Sequence, residues 1–130
     1  MTEAENGAGA EMSAQRAVGL DRMSQVYGWD MNDGPGDFFG YTVDHLFAEI
    51  WNRPGLSDRD RRLLLIGLCV GSGQEDVLDI QLPAALGNDE LTHEQLREIV
   101  IFFAYYAGWP RAARMNNQVE AIIARNNKKD

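Results

Sequence analysis

Apolar residues recur along this chain at the three- and four-residue intervals of an amphipathic helix, and no stretch alternates convincingly like a strand. From about residue 12 to 27, Ala14, Ala17, Val18, Met23 and Val26 fall at helical spacings. "GWDMNDGPGD", residues 28 to 37, is turn chemistry, rich in Gly and Asp with an Asn and a Pro. Phe39, Val43, Leu46, Phe47, Ile50 and Trp51 then form an i, i+4, i+7 stripe, which predicts a helix ending before Pro54-Gly55.

The next helix, about 58 to 71, opens on Ser57 as its N-cap, with Asp58 and Asp60 favoured by the helix dipole. From Leu63 onward it is apolar on nearly all sides, the mark of a helix central in a core or at an oligomer interface. "GSG", 71 to 73, stops it, and a further helix runs from about 74 to Gly87. Thr92 and Gln95 make a T-x-x-Q capping box at the head of "HEQLREIVIFFAYYAG". Gly108 suits the left-handed position at its end, and Pro110 the first turn of a last helix, about 110 to 126. The expected fold is all-α, with about six helices and short connections.

The length, 130 residues, suggests one domain, here 12–127, large enough to bury a core without staples. The leading "MTEAENGAGA" is acidic, small and polar, so residues 1–11 read as a disordered tail rather than a signal peptide. The longest apolar run, "LLLIGLCV" at 63 to 70, is far short of a membrane span. A net charge of −8 argues against nucleic acid as a partner, since the one basic cluster outside the helices is Lys128 and Lys129. A single cysteine, Cys69, forms no disulfide within the chain and fits a reducing cytoplasm. The baseline is a cytoplasmic protein with no nucleic-acid or membrane partner.

Candidate chemistry is sparse. His45 and His93 lie on different helices and there is no cysteine pair, so no metal site is expected. His45 sits beside the apolar stripe, where packing or hydrogen bonding competes with a chemical role. Cys69 lies in "IGLCVG", an apolar context that raises a thiol pKa and leaves it inert. Of Arg59, Arg61 and Arg62, two are expected in solvent, while one turned inward could hold a carboxylate as a bidentate fork. Glu49, in "FAEIW", faces either solvent or a cavity; in a cavity, desolvation would make it a usable acid or base. "IQLPAALG", 80 to 87, places an amide and a helix breaker in a stretch that otherwise reads as buried helix.

Four segments, "AEIWNRPGLSDRDRRLLLIGL", "AALGN", "LTHEQLREIV" and "YYAGWP", occur in this order across residues 48 to 110. Together they resemble the carboxymuconolactone decarboxylase family, its decarboxylase branch more than its peroxidase branch. The resemblance implies the carboxymuconolactone decarboxylase/AhpD-like helical fold in a ring-shaped homo-oligomer, a trimer or hexamer. It implies loss of CO₂ from a lactone acid of aromatic degradation, with no cofactor. The peroxidase branch uses a CxxC relay with a Glu and a His. On this chain the two relay cysteines fall on Gln74 and Val77, the Glu on Arg62 and the His on Gln81, so that relay is missing. Pro83 falls where Arg is common. Family-like positions retained are Glu49, Trp51, Arg53, Pro54, Gly55, Arg61, Tyr106, Gly108 and Pro110.

Glutamine donates and accepts hydrogen bonds but carries no proton between groups near neutral pH. Pro83 removes one helical bond and frees the carbonyl of Asp79, which predicts a bend. In the leading reading the substrate is a small organic acid. Arg61 holds its carboxylate, Glu49 or His45 protonates the carbanion left by CO₂, and Gln81, Tyr106 and Trp51 bind and orient the substrate. The alternative is a catalytically silent homologue serving as an oligomeric ligand-binding or scaffold protein, with Gln81 satisfied at a subunit interface. A peroxidase-like antioxidant protein ranks last.

Overall fold

The computed structural model describes residues 12–129. The tail expected over 1–11 lies outside the described residues. The chain divides into two compact units, with the boundary between Gly55 and Leu56. Among the described residues all regular structure is helical, which is the all-α class expected from the periodicity.

In the first unit, α1 spans Ala14–Tyr27. Ser13 caps it, its hydroxyl accepting from Arg16 N at 3.0 Å, and Gly28 closes it in the left-handed region at φ 90°. A left-handed cap favours glycine because no Cβ crowds the carbonyl. The stripe from Phe39 to Trp51 does not form one α-helix. It begins as α2, Asp37–Tyr41, and continues as a π-helix, Thr42–Ile50. The wider turn shows in the bond from Trp51 N to Leu46 O, 2.9 Å. Closing each turn over five residues brings positions i and i+4 nearer to one line. Val43 and Phe47 are the buried pair on that line. Asn52 takes up carbonyls at its end, donating from Nδ2 to Ala48 O at 3.0 Å and Phe47 O at 3.4 Å.

α1 packs on the π-helix at Gly19, where a Cβ would lie 2.1 Å from Val43 O. Arg16 stitches the same crossing, with Nε and Nη2 donating to the Asp44 carboxylate at 2.7 and 3.0 Å, and Nη1 to Asp33 at 2.6 Å. The Arg16 hydrogen bonds hold the Asp44 carboxyl below its ordinary range. Phe47 stacks on Trp51 at 6.0 Å and meets the edge of Tyr27 at 5.4 Å.

The second unit holds α3 (Asp58–Ser72), α4 (Glu75–Gly87), α5 (His93–Tyr106) and α6 (Trp109–Lys129). The expected punctuation is present. Ser57 Oγ accepts from Asp60 N at 3.0 Å, and Gly73 ends α3 at φ 74°. Both bonds of the Thr92–Gln95 capping box form, at 3.0 and 3.1 Å. Gly108 takes φ 103° just before Pro110. The core gathers Ile66, Leu82, Leu96, Met115 and Val119, all fully buried. Each such side chain contributes roughly 1.5–3 kcal/mol on burial. α4 runs through Pro83, with Leu82 and Ala84 buried on either side. α3 is less enclosed than its composition predicts: Ile66 and Val70 are buried, but Leu64 and Leu68 face solvent. No helix among the described residues is long and apolar enough to cross a membrane.

Candidate active site

The π-helix of the first unit brings His45 and Glu49 together, with Nδ1 of the imidazole 2.7 Å from Oε1 of the carboxylate. The two lie four residues apart on a helix whose wider turn sets them on one line, as it does Val43 and Phe47. Because the latter pair turns to the core, His45 and Glu49 stay exposed, at 63 and 56 %. A carboxylate on Nδ1 orients the ring and leaves Nε2 as the nitrogen that Glu49 does not engage. Such a pair can hand a proton out and take one back. Trp51, one turn on, is buried against Phe47.

In the second unit the inward arginine is Arg62, not Arg61. Arg62 is fully buried. Its Nε donates to Glu90 Oε1 at 2.7 Å, its Nη2 faces Glu90 Oε2 at 3.4 Å, and its Nη1 donates to Gln81 Oε1 at 2.5 Å. A buried guanidinium demands a carboxylate, and the turn after α4 delivers it. Asp89 adopts a left-handed φ of 56°, and Glu90 N returns to Ala85 O at 2.9 Å. That backbone closure sets the Glu90 carboxylate against Arg62. Gln81 is 5 % exposed, so the buried amide anticipated in "IQLPAALG" is found, and its acceptor is satisfied by Arg62.

The remaining sequence-derived site residues lie in other surroundings. Arg61 Nη1 donates to Leu56 O at 2.6 Å, which ties it to the backbone ahead of α3. Tyr106 is exposed at the end of α5, its ring 4.9 Å from Phe102. Cys69 is buried, and that burial raises its thiol pKa, as its apolar context predicts. Among the described residues no three His, Cys, Asp or Glu side chains cluster as metal ligands would. Sequence reasoning missed Glu90. The usable signal was that an inward arginine needs an acid near the end of α4, and "NDE" at 88–90 supplies two.

These features define an all-α protein with a histidine–carboxylate pair on one helix and a buried arginine–amide–carboxylate cluster among others. Residues 36–121 match the carboxymuconolactone decarboxylase family, and the chain belongs to that family. It is 30 % identical to a 4-carboxymuconolactone decarboxylase of Acinetobacter baylyi over 94 residues, covering 72 % of this chain and 69 % of that protein. It is 36 % identical to a nitrosuccinic acid decarboxylase of Metarhizium robertsii over 77 residues, covering 59 % of this chain and 49 % of that protein. No solved structure matches the chain.

Proposed function

We propose that the protein decarboxylates a small organic acid, a lactone acid in the leading case, without a cofactor. The observation that carries this reading is the His45–Glu49 pair at 2.7 Å, inside the part of the chain that matches the family. The C–C bond to the carboxylate breaks, its electron pair passes into a conjugated carbonyl of the substrate, and CO₂ leaves. The pair returns one proton to the carbon and is reprotonated from water. The substrate supplies its own electron sink. The two relatives, named for acids they decarboxylate, support this class of reaction. The reading includes a cytoplasmic homo-oligomer, a trimer or hexamer, supported by the apolar side chains α3 and α5 leave exposed.

The test is turnover of 4-carboxymuconolactone and of nitrosuccinate by wild type, Glu49→Gln and His45→Gln. General acid catalysis is worth roughly 10²- to 10⁴-fold. At least one variant should lose about a hundredfold in kcat. Wild type inactive on both acids, in intact protein, would remove the enzyme reading. The second reading, a silent ligand-binding homologue, draws support from Arg62. It stands where the resemblance places the relay glutamate, buried and engaged by Glu90.

A further inference from the structure

We infer that Gln15 and Asn52 are positioning residues that hold the His45–Glu49 pair by pinning the two peptide planes from which it springs. This rests on the reading of that pair as the proton donor and adds the groups that keep it in register. His45 and Glu49 are both more than half exposed, so little packing fixes their side chains. A contact of 2.7 Å between such side chains depends on the backbone that carries them. A peptide unit is planar, so a hydrogen bond to the carbonyl of one residue also fixes the N–H and Cα of the next. Gln15, in the first turn of α1, donates from Nε2 to Asp44 O at 2.5 Å, and that carbonyl shares its plane with the N–H of His45. Asn52, just beyond the π-helix, donates from Nδ2 to Ala48 O at 3.0 Å, and that carbonyl shares its plane with the N–H of Glu49.

Two side-chain amides thus reach the π-helix from outside it, and each takes the carbonyl directly ahead of one member of the pair. Asn52 is itself braced. Its Oδ1 accepts from Arg22 Nε at 2.7 Å, and Arg22 Nη2 donates to Trp51 O at 3.2 Å. A guanidinium only donates, so this bond fixes which amide atom is the oxygen and turns Nδ2 toward Ala48. Arg22 lies two turns along α1 from Gln15, so one helix grips both ends of the segment that bears the pair. Asp44 is held twice over. Arg16 takes its carboxylate at 2.7 and 3.0 Å, and Gln15 takes its carbonyl. In a π ladder a carbonyl pairs with the N–H five residues on, which for Asp44 is that of Glu49. A slip of the Asp44 peptide therefore disturbs both members of the pair.

The experiment uses the full chain with its histidines labelled with ¹⁵N. An ionised carboxylate only accepts, so the neutral ring beside Glu49 carries its proton on Nδ1. The imidazole ¹⁵N shifts report that tautomer, and the His45 signals are assigned by their loss in His45→Gln. Gln15→Met and Asn52→Asp keep the size of each side chain and remove its donor, and Asn52→Asp still offers Arg22 an acceptor. Both sites are exposed, so both variants should keep a melting temperature close to that of wild type. Each should move His45 away from the Nδ1–H tautomer. On an acid that wild type decarboxylates, each should lower kcat by about threefold to tenfold, the net worth of one hydrogen bond, with KM little changed. Gln15→Lys restores a donor and should recover most of the loss. A tautomer shift in both variants, with no acid turned over by wild type, would sustain the inference and end the decarboxylase reading. Tautomer and kcat both unchanged in the two variants would overturn the inference and leave that reading standing. Variants that lose melting temperature and nothing else would show Gln15 and Asn52 to be ordinary helix ties, and that result overturns the inference as well.

Discussion

Arg16 engages two carboxylates at once, and the pH response of the first unit follows from that. Its hydrogen bonds, then its charge, hold the Asp44 carboxyl below the ordinary value of 3.8. A carboxyl with a lower pKa folded than unfolded adds stability above its unfolded pKa, and that stability is lost as pH falls through the folded value. The contribution is therefore present at neutral pH and fades below about pH 4. Asp44 is 38 % exposed, so solvent screening limits it to about 1 kcal/mol or less. Asp44→Asn should lower the melting temperature at pH 7, and the gap to wild type should close as pH is lowered toward 3. A gap of constant size across that range would show that the carboxylate charge is not the cause. At this scale the sequence was partly legible. An amide among apolar neighbours marked Gln81, but which of three nearby arginines turns inward depends on where Glu90 lands, and that is set by the left-handed Asp89.

Helix ends were legible because each has its own chemistry: Ser57, the Thr92–Gln95 box, Gly73 and Gly108 all act where the sequence puts them. The pitch between the ends was not. A stripe at i, i+4 and i+7 fits an α-helix, and from Thr42 onward the chain adopts a π-helix, whose wider turn accepts the i, i+4 pairs equally well. Packing on that π-helix is tight at Gly19. A Cβ at that position would meet the backbone oxygen of Val43 at 2.1 Å, which no side-chain motion relieves. On an exposed helix Gly→Ala stabilises by roughly 1 kcal/mol. Here the sign should reverse. Gly19→Ala forces α1 from the π-helix and should destabilise by about 1–3 kcal/mol in urea unfolding, the usual cost of overpacking. A variant as stable as wild type would mean that the crossing is loose.

At the scale of the whole molecule, the question is what covers the second unit. Leu68 on α3 and Ile101, Phe102, Tyr105 and Tyr106 on α5 are all more than half exposed, as is Trp109 just beyond. Apolar surface of this extent on two helices of one unit is uncommon on a monomer and marks an interaction face. The reading in which the partner is a further copy of the chain predicts a trimer or hexamer by light scattering at micromolar concentration. It also predicts that a charge placed on the face separates the copies without harming the fold. Phe102 is the better position for this, since it is exposed within the chain while its neighbour Phe103 packs against the core. Phe102→Glu should shift the mass to a monomer and leave the helical circular dichroism intact, because surface substitutions change stability by only about 0.5 kcal/mol. A wild-type mass equal to one chain, unaltered by Phe102→Glu, would mean that this face serves something other than self-association. Tyr106 lies on the same helix with its ring against Phe102, so its proposed role in substrate binding and its place on this face are tested together. If Tyr106→Ala lowers the mass as Phe102→Glu does, the loss of any activity in that variant belongs to assembly. If the mass holds and KM rises, Tyr106 acts on the substrate.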